Sequence, residues 1–243
     1  MPGRIAVLVP CFNAADTIPE LVARIAKFVQ VRDLLMVDDG SADGTREAIR
    51  QSGARLLLHE QNHGKGEALK TGFTAVLEDG YDGVITLDAD LQHLPEHLPL
   101  FLAAAVSFDI VVGTRSYRLA NMPFLRWATN HLTSMVVSRL SGTRIHDSQS
   151  GYRYLSRRAV KDIPLATTKY DMESEQLIRA GKMGLRIGEV PIETLYHGSK
   201  SYIRPFKDTG RFFRMTWRNI FWRPERAYPG RDRRATPGSH RLL

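Results

Sequence analysis

The sequence has one cysteine, Cys11, in 243 residues. That excludes an intramolecular disulfide and a zinc site built on cysteines, and it suits a reducing compartment. Long apolar runs are missing as well. Crossing a bilayer takes ~18–20 uninterrupted apolar residues, and the first run, Ile5–Val9, breaks at Pro10. The opening MPGRIAVLVPCFN lacks the length of a secretory signal, and the ending Arg241-Leu242-Leu243 carries no prenylation cysteine. A cytosolic protein, or one held on the cytosolic face of a membrane, is expected. Acidic residues are absent between Asp109 and Asp147, a segment with five arginines.

Charge is unevenly placed. From Arg204 onward there are eleven Lys/Arg and three Asp/Glu, whereas residues 1–203 carry 23 of each sign. The net charge of +8 therefore belongs to the C-terminal segment. A hydrophobic fraction of 43% is enough for a sizeable core.

Short β-branched runs alternate with helical patterns through the first half. Strands are predicted at Ile5–Val9, Leu34–Val37, Arg55–Leu58, Gly83–Leu87 and Ile110–Gly113. Helices are predicted around Leu21, Ile25 and Phe28, then over Gly44–Arg50, Gly66–Leu77 and Pro95–Val106. This rhythm predicts an α/β fold, a mainly parallel sheet flanked by helices. The second half reads as helix Phe124–Leu140, strand Tyr152–Leu155, helix Glu173–Gly181, strand Arg186–Pro191 and a last helix Phe206–Trp222. Residues 224–243, rich in Arg, Gly and Pro, read as a disordered basic tail.

In open α/β sheets ligands bind beyond the carboxyl ends of the strands. Four polar clusters fall there: Pro10-Cys11-Phe12-Asn13, Asp38-Asp39-Gly40-Ser41, Asp88-Ala89-Asp90 and Gly113-Thr114-Arg115. Each alone is an ordinary turn; their joint placement is the signal. Asp88, Asp90 and the Gln92 carbonyl offer the oxygen ligands that Mg2+ or Mn2+ prefers, and such an ion would clamp a diphosphate. Asn62-His63-Gly64-Lys65-Gly66 precedes a helix, so its N–H groups and Lys65 suit a phosphate, although it is no Walker A loop.

Together these residues resemble glycosyltransferase family 2, inverting enzymes of GT-A fold, over roughly residues 4–205. VPCFNAADTI, VDDGSADGT, NHGKGEALKTGF and LDADLQH match the family's ordered motifs. GTRSYR, DSQSGYRYLSR, YDMESEQLIRAGKMGLRIGEVPI and YHGSKSYIRPFKD are similar to the subgroup of dolichol-phosphate mannosyltransferase and the polyprenyl-phosphate glycosyltransferases. The resemblance implies a catalytic domain over 1–205; an amphipathic surface helix over 206–223 and the tail, both read from residue pattern, follow it. It assigns Pro10, Asn13, Asp39, Lys65 and Asp88 to the nucleotide, and Asp88, Asp90 and Gln92 to the metal. Asp90, Arg115 and Arg153 become catalytic, and Ser199, Lys200 and Arg204 hold the acceptor phosphate. Asn13 is followed by Ala14 where the subgroup often has Asn-Glu, which leaves GDP-sugar and UDP-sugar donors both open.

A sugar acceptor must lose a proton as it attacks, whereas a lipid phosphate is already anionic and needs only cations to bring it up. Arg115, Arg153, Lys200 and Arg204 are suited to that, and Glu173 or Glu175 would serve if a base were needed. The helix Phe206–Trp222 sets Phe206, Gly210, Phe213, Trp217 and Ile220 beside Lys207, Arg211, Arg214 and Arg218. The helix Phe124–Leu140 carries a second stripe of Phe124, Ala128, Leu132, Met135 and Leu140, with Trp127 beside it. A basic amphipathic helix with aromatics suits an anionic membrane surface. The expected function is sugar transfer from a nucleotide sugar to polyprenyl phosphate, with a membrane-spanning partner subunit left open. The alternatives are a soluble or saccharide acceptor, and a basic nucleic-acid-binding protein, which leaves the Asp-rich motif without a use.

Overall fold

The computed structural model describes the backbone of residues 3–115, 124–167, 171–195 and 205–225, and the side chains of all of these except 124–128 and 205–209. Seven strands form one sheet: β1 (Ile5–Cys11), β2 (Leu34–Asp39), β3 (Arg55–His59), β4 (Gly83–Thr86), β5 (Ile110–Arg115), β6 (Arg153–Ser156) and β7 (Ile187–Ile192). The helices are α1 (Ile18–Ile25), α2 (Thr45–Ser52), α3 (Lys65–Glu78), α4 (Leu98–Ala104), α5 (Phe124–Ser141), α6 (Arg157–Asp162), α7 (Asp171–Lys182) and α8 (Pro205–Phe221).

The strand order is β3-β2-β1-β4-β6-β5-β7. All pairings are parallel except those of β6, which runs antiparallel to both β4 and β5. Because strand side chains alternate, the apolar run of β1 feeds two cores. Ala6 and Leu8 face one, with Phe73 and Val76 of α3, Val137 of α5, Leu177 of α7 and Met215 of α8. Val7 and Val9 face the other, with Leu21 of α1, Ile49 of α2 and Phe101 of α4. A sheet buried on both faces fixes where its strand ends emerge, and the polar clusters emerge together.

Two expectations need correction. The helix expected over Pro95–Val106 is a 3₁₀ turn, Pro95–His97, followed by α4, because a second proline, Pro99, suits only a first helical turn. The short α6 was not expected; the Ser156 hydroxyl starts it by accepting from the Ala159 N–H at 3.2 Å. The last helix forms as expected, but its docked face is Phe212, Met215, Asn219 and Trp222. Phe213, Trp217, Ile220 and Phe221 stand exposed. On α5 the expected stripe divides: Leu132 and Met135 are exposed, whereas Leu140 packs against the core. The tail from 226 onward lies outside the described residues.

Candidate active site

The ends of β1 and β2 are laced together by side chains. Asn13, in a left-handed conformation at φ 49°, receives no help from a glycine there; its amide oxygen accepts from the Ala42 N–H at 2.9 Å, and its own N–H donates to the Ser41 hydroxyl at 2.9 Å. Pro10 is half-buried, one residue before the buried Cys11 that ends β1. Asp38 is fully buried and accepts from the Ser41 N–H at 3.0 Å.

Asp39, expected to bind the nucleotide, is also buried, and its carboxylate already accepts several hydrogen bonds. Oδ1 takes the His63 N–H at 3.0 Å and lies 2.6 Å from His59 Nδ1, while Oδ2 takes the Gly64 N–H at 2.7 Å. His59 Nε2 in turn lies 2.8 Å from the Thr71 hydroxyl. His59 was missed by the sequence reading; only its pairing opposite Asp39 across β2 and β3 reveals it. Asp39 thus shapes the turn before Lys65, where Gly64 sits at φ +96°, a conformation that favours glycine.

Lys65 opens α3, and its ammonium lies 2.7 Å from Asp88 Oδ1 and 2.8 Å from Glu173 Oε1. Burial alone would lower its pKa, but the two carboxylates outweigh burial and raise it, so it stays charged. Asp88 shows the converse. Burial would raise its pKa, but Lys65 above all, then His93 and Arg115, holds the carboxyl below its ordinary value. Asp90 is pushed up, by burial first and then by the charge of Asp88.

After Asp90 the chain turns sharply through Leu91 at φ 57°. Gln92 is pinned on both sides: its N–H donates to Asp90 Oδ1 at 3.0 Å and its main-chain carbonyl accepts from the Leu195 N–H at 2.9 Å. His93 is buried, and burial lowers its pKa to about 4, so its ring is neutral near pH 7. Its Nδ1 finds no hydrogen-bond partner and lies 3.9 Å from Asp88 Oδ2.

Among the described residues no three His, Cys, Asp or Glu side chains converge as a finished metal cage. The donors nevertheless fit a divalent cation. Asp88 and Asp90 supply hard oxygens, and Gly151 keeps the space beside them open: a Cβ there would come within 2.7 Å of Asp88 Oδ2. Mg2+-type sites commonly hold the ion with one or two carboxylates and let substrate phosphates complete the shell.

Arg115 ends β5 and grips Asp147 with two N–H groups, Nε at 2.6 Å and an Nη at 2.9 Å. Asp147 is fully buried, and the pair holds the guanidinium close enough to act on Asp88. Asp147 was quoted within a motif but given no role; nothing in its local pattern marks it as the partner of Arg115.

Arg153 requires a correction. It was expected at the phosphates, yet it is 1% exposed, and its guanidinium donates to three main-chain carbonyls: Ser148 at 2.7 Å, Ser150 at 2.7 Å and Glu173 at 2.6 Å. Placing β6 between β4 and β5 turns this side chain inward, where only hydrogen-bonded polar groups are tolerated. Glu175 is likewise buried and structural, bonded to Thr167, Arg179 and Arg218. Ser199, Lys200 and Arg204 lie outside the described residues.

A family model described as Glycosyl transferase family 2 matches residues 6–164. The chain is 32% identical, over 79% of its length and 86% of the relative's, to UDP-N-acetylglucosamine-dolichyl-phosphate N-acetylglucosaminyltransferase of Methanococcus voltae. It is 30% identical to undecaprenyl-phosphate mannosyltransferase of Micrococcus luteus, over 78% of this chain and 82% of that one. The fold is similar to that of glucosyl-3-phosphoglycerate synthase from Mycobacterium tuberculosis, solved with Mn2+ and UDP. The TM-score is 0.70 at 23% identity, covering 90% of this chain and 78% of that one.

Proposed function

Because the chain belongs to glycosyl transferase family 2, we propose that it moves a hexosyl group from a nucleoside-diphosphate sugar, GDP- or UDP-linked, to a polyprenyl or dolichyl phosphate at a membrane surface. One observation carries the choice of acceptor. At this sheet edge the carboxylates that would serve as a general base are held by cations: Glu173 by Lys65, Glu175 by Arg179 and Arg218, and Asp147 by Arg115. A hydroxyl acceptor needs such a base. A phosphate monoanion or dianion does not; it needs positive charge to approach a diphosphate. The names of the two relatives, one containing undecaprenyl phosphate and the other dolichyl phosphate, support the same reading.

In this proposal Asp88, Asp90 and Gln92 would hold Mg2+ or Mn2+, which when bound supplies charge stabilisation at the leaving diphosphate. Lys65 and the turn at Gly64 face the donor phosphates. Arg115, fixed by Asp147, draws in the acceptor phosphate together with Ser199, Lys200 and Arg204. Arg153 acts by position, tying the loop at 148–151 to the first turn of α7.

The surface of α8 supports reversible binding to an anionic membrane, which this proposal places on the cytosolic side. Phe213, Trp217 and Phe221 are 66%, 68% and 68% exposed, and Arg211 and Arg214 are exposed beside them. Among the described residues no helix is long and apolar enough to cross a membrane. The test is a transfer assay crossing GDP- and UDP-sugars with polyprenyl phosphate and with a saccharide acceptor. Product on the lipid phosphate is expected; transfer to the saccharide alone would overturn the choice of acceptor.

A further inference from the structure

Lys65 is held from two sides by carboxylates that the fold brings from distant parts of the chain. The two grips differ. Glu173 is 8% exposed and Asp88 is 28% exposed, so Glu173 is the dry partner and Asp88 the one open to ligands. Glu173 is also the more firmly placed. Its main-chain carbonyl accepts from Arg153 at 2.6 Å, and the same guanidinium holds the carbonyls of Ser148 and Ser150. Gly151 follows directly, and a Cβ there would stand 2.7 Å from both Asp88 Oδ2 and Lys65 Nζ. The ammonium therefore sits in a bounded slot between a fixed carboxylate and an accessible one.

Asp88 is also a carboxylate that the proposed function assigns to a divalent cation. An ammonium and a divalent ion cannot both sit in contact with one carboxylate in a partly dry site without strong repulsion. Lys65 on Oδ1 therefore opposes a cation brought to the same carboxylate, and moving off Asp88 relieves that repulsion. Glu173 then remains as its anchor, 2.8 Å away.

We infer that Lys65 is a built-in competitor for the cation at Asp88, and that Glu173 is the positioning residue that keeps the displaced ammonium in the site, turned toward the donor diphosphate. The inference rests on the transferase reading and deepens it by giving the site an order of binding. A nucleoside diphosphate draws Lys65 off Asp88 and so raises the affinity for the cation. By linkage, the cation raises the affinity for the diphosphate by the same factor.

The test is direct Mn2+ binding to the full chain, followed by electron paramagnetic resonance, without nucleotide and then with UDP or GDP. Lys65→Met is expected to tighten Mn2+ binding about tenfold without nucleotide, and to shrink the further gain that nucleotide gives. Glu173→Gln is expected to act in the opposite direction, because Lys65 then directs its whole charge at Asp88. The double variant is expected to match Lys65→Met, since Glu173 acts through the lysine. Lys70→Met removes the same charge from the same helix and is expected to change Mn2+ affinity less than twofold. Should Lys65→Met fold poorly by circular dichroism, the Glu173→Gln shift reads the coupling from the other side.

Unchanged or weaker Mn2+ binding by Lys65→Met would overturn the inference, as would an equal effect of Lys70→Met or a double variant weaker than Lys65→Met. Those results leave the transferase reading standing. Wild-type protein that binds no Mn2+ with either nucleotide would remove the metal assignment at Asp88 and Asp90, and with it the inference.

Discussion

The guanidinium of Arg153 donates to the main-chain carbonyl of Glu173 at 2.6 Å, joining the central antiparallel strand to the first turn of α7. Glu173 in turn holds the Lys65 ammonium beside Asp88. A chain of contacts thus runs from a fully buried arginine to an exposed edge of the candidate site.

Arg153→Lys should therefore behave as a stability variant. A lysine cannot reproduce the planar fork that reaches three carbonyls, and each buried carbonyl left unpaired costs roughly 1–3 kcal/mol. Urea denaturation is expected to show a drop of several kcal/mol at most. Unchanged stability, with a specific rise in KM for the acceptor, would return Arg153 to the phosphates.

Asp90→Ala should lower turnover by about 10²–10³-fold, the usual scale for removing one electrostatic stabiliser of a leaving group. Stability should change little, because Asp90 is exposed and its carboxylate accepts from the Gln92 N–H at a turn. Excess chelator should abolish wild-type transfer as well. Full turnover under either condition would count against metal use.

Asp147→Ala removes the buried carboxylate that takes two N–H groups of Arg115, whose side chain is only 13% exposed. Breaking a buried pair from one side costs roughly 3–5 kcal/mol. Activity should fall together with thermal stability. Loss of activity at wild-type stability would mean that Asp147 meets substrate itself.

Acid sensitivity should trace in part to Glu175. Burial would raise its pKa, but the Thr167 hydroxyl and N–H, with Arg179 and Arg218, outweigh burial and lower it below the ordinary 4.5. The unfolded chain then binds the proton first as pH falls. The stabilisation is complete above about 4.5 and is lost as pH drops through the depressed folded value. Glu175→Gln should be less stable at pH 7 and show a shallower decline below pH 4.5 in denaturation at stepped pH. Parallel acid limbs would refute this assignment.

Replacing Phe213, Trp217 and Phe221 together with serine should reduce co-sedimentation with anionic vesicles about tenfold, and salt should weaken what binding remains. Each is exposed, so thermal unfolding should shift little. Met215→Ala is the contrast: buried against α7, it should cost about 2–5 kcal/mol. Equal vesicle binding by the triple variant would exclude the exposed face of α8 as the membrane contact.

Local pattern determined a good deal here. Alternating apolar runs specified a sheet covered on both faces, because a strand buried on each side must be apolar at every position. The polar clusters at strand ends marked one edge as the site, and the uneven charge marked α8 as a surface helix. Only tertiary structure decided which polar side chains face that edge. Arg153 reads like a phosphate ligand until β6 enters the sheet antiparallel between β4 and β5 and turns it inward. His59 becomes a partner of Asp39 because β2 and β3 pair in that register. Lys65 and Glu173 meet across 108 residues of chain. Periodicity reports the environment along one element, whereas these pairings depend on which elements become neighbours, and that is fixed by packing the whole sheet.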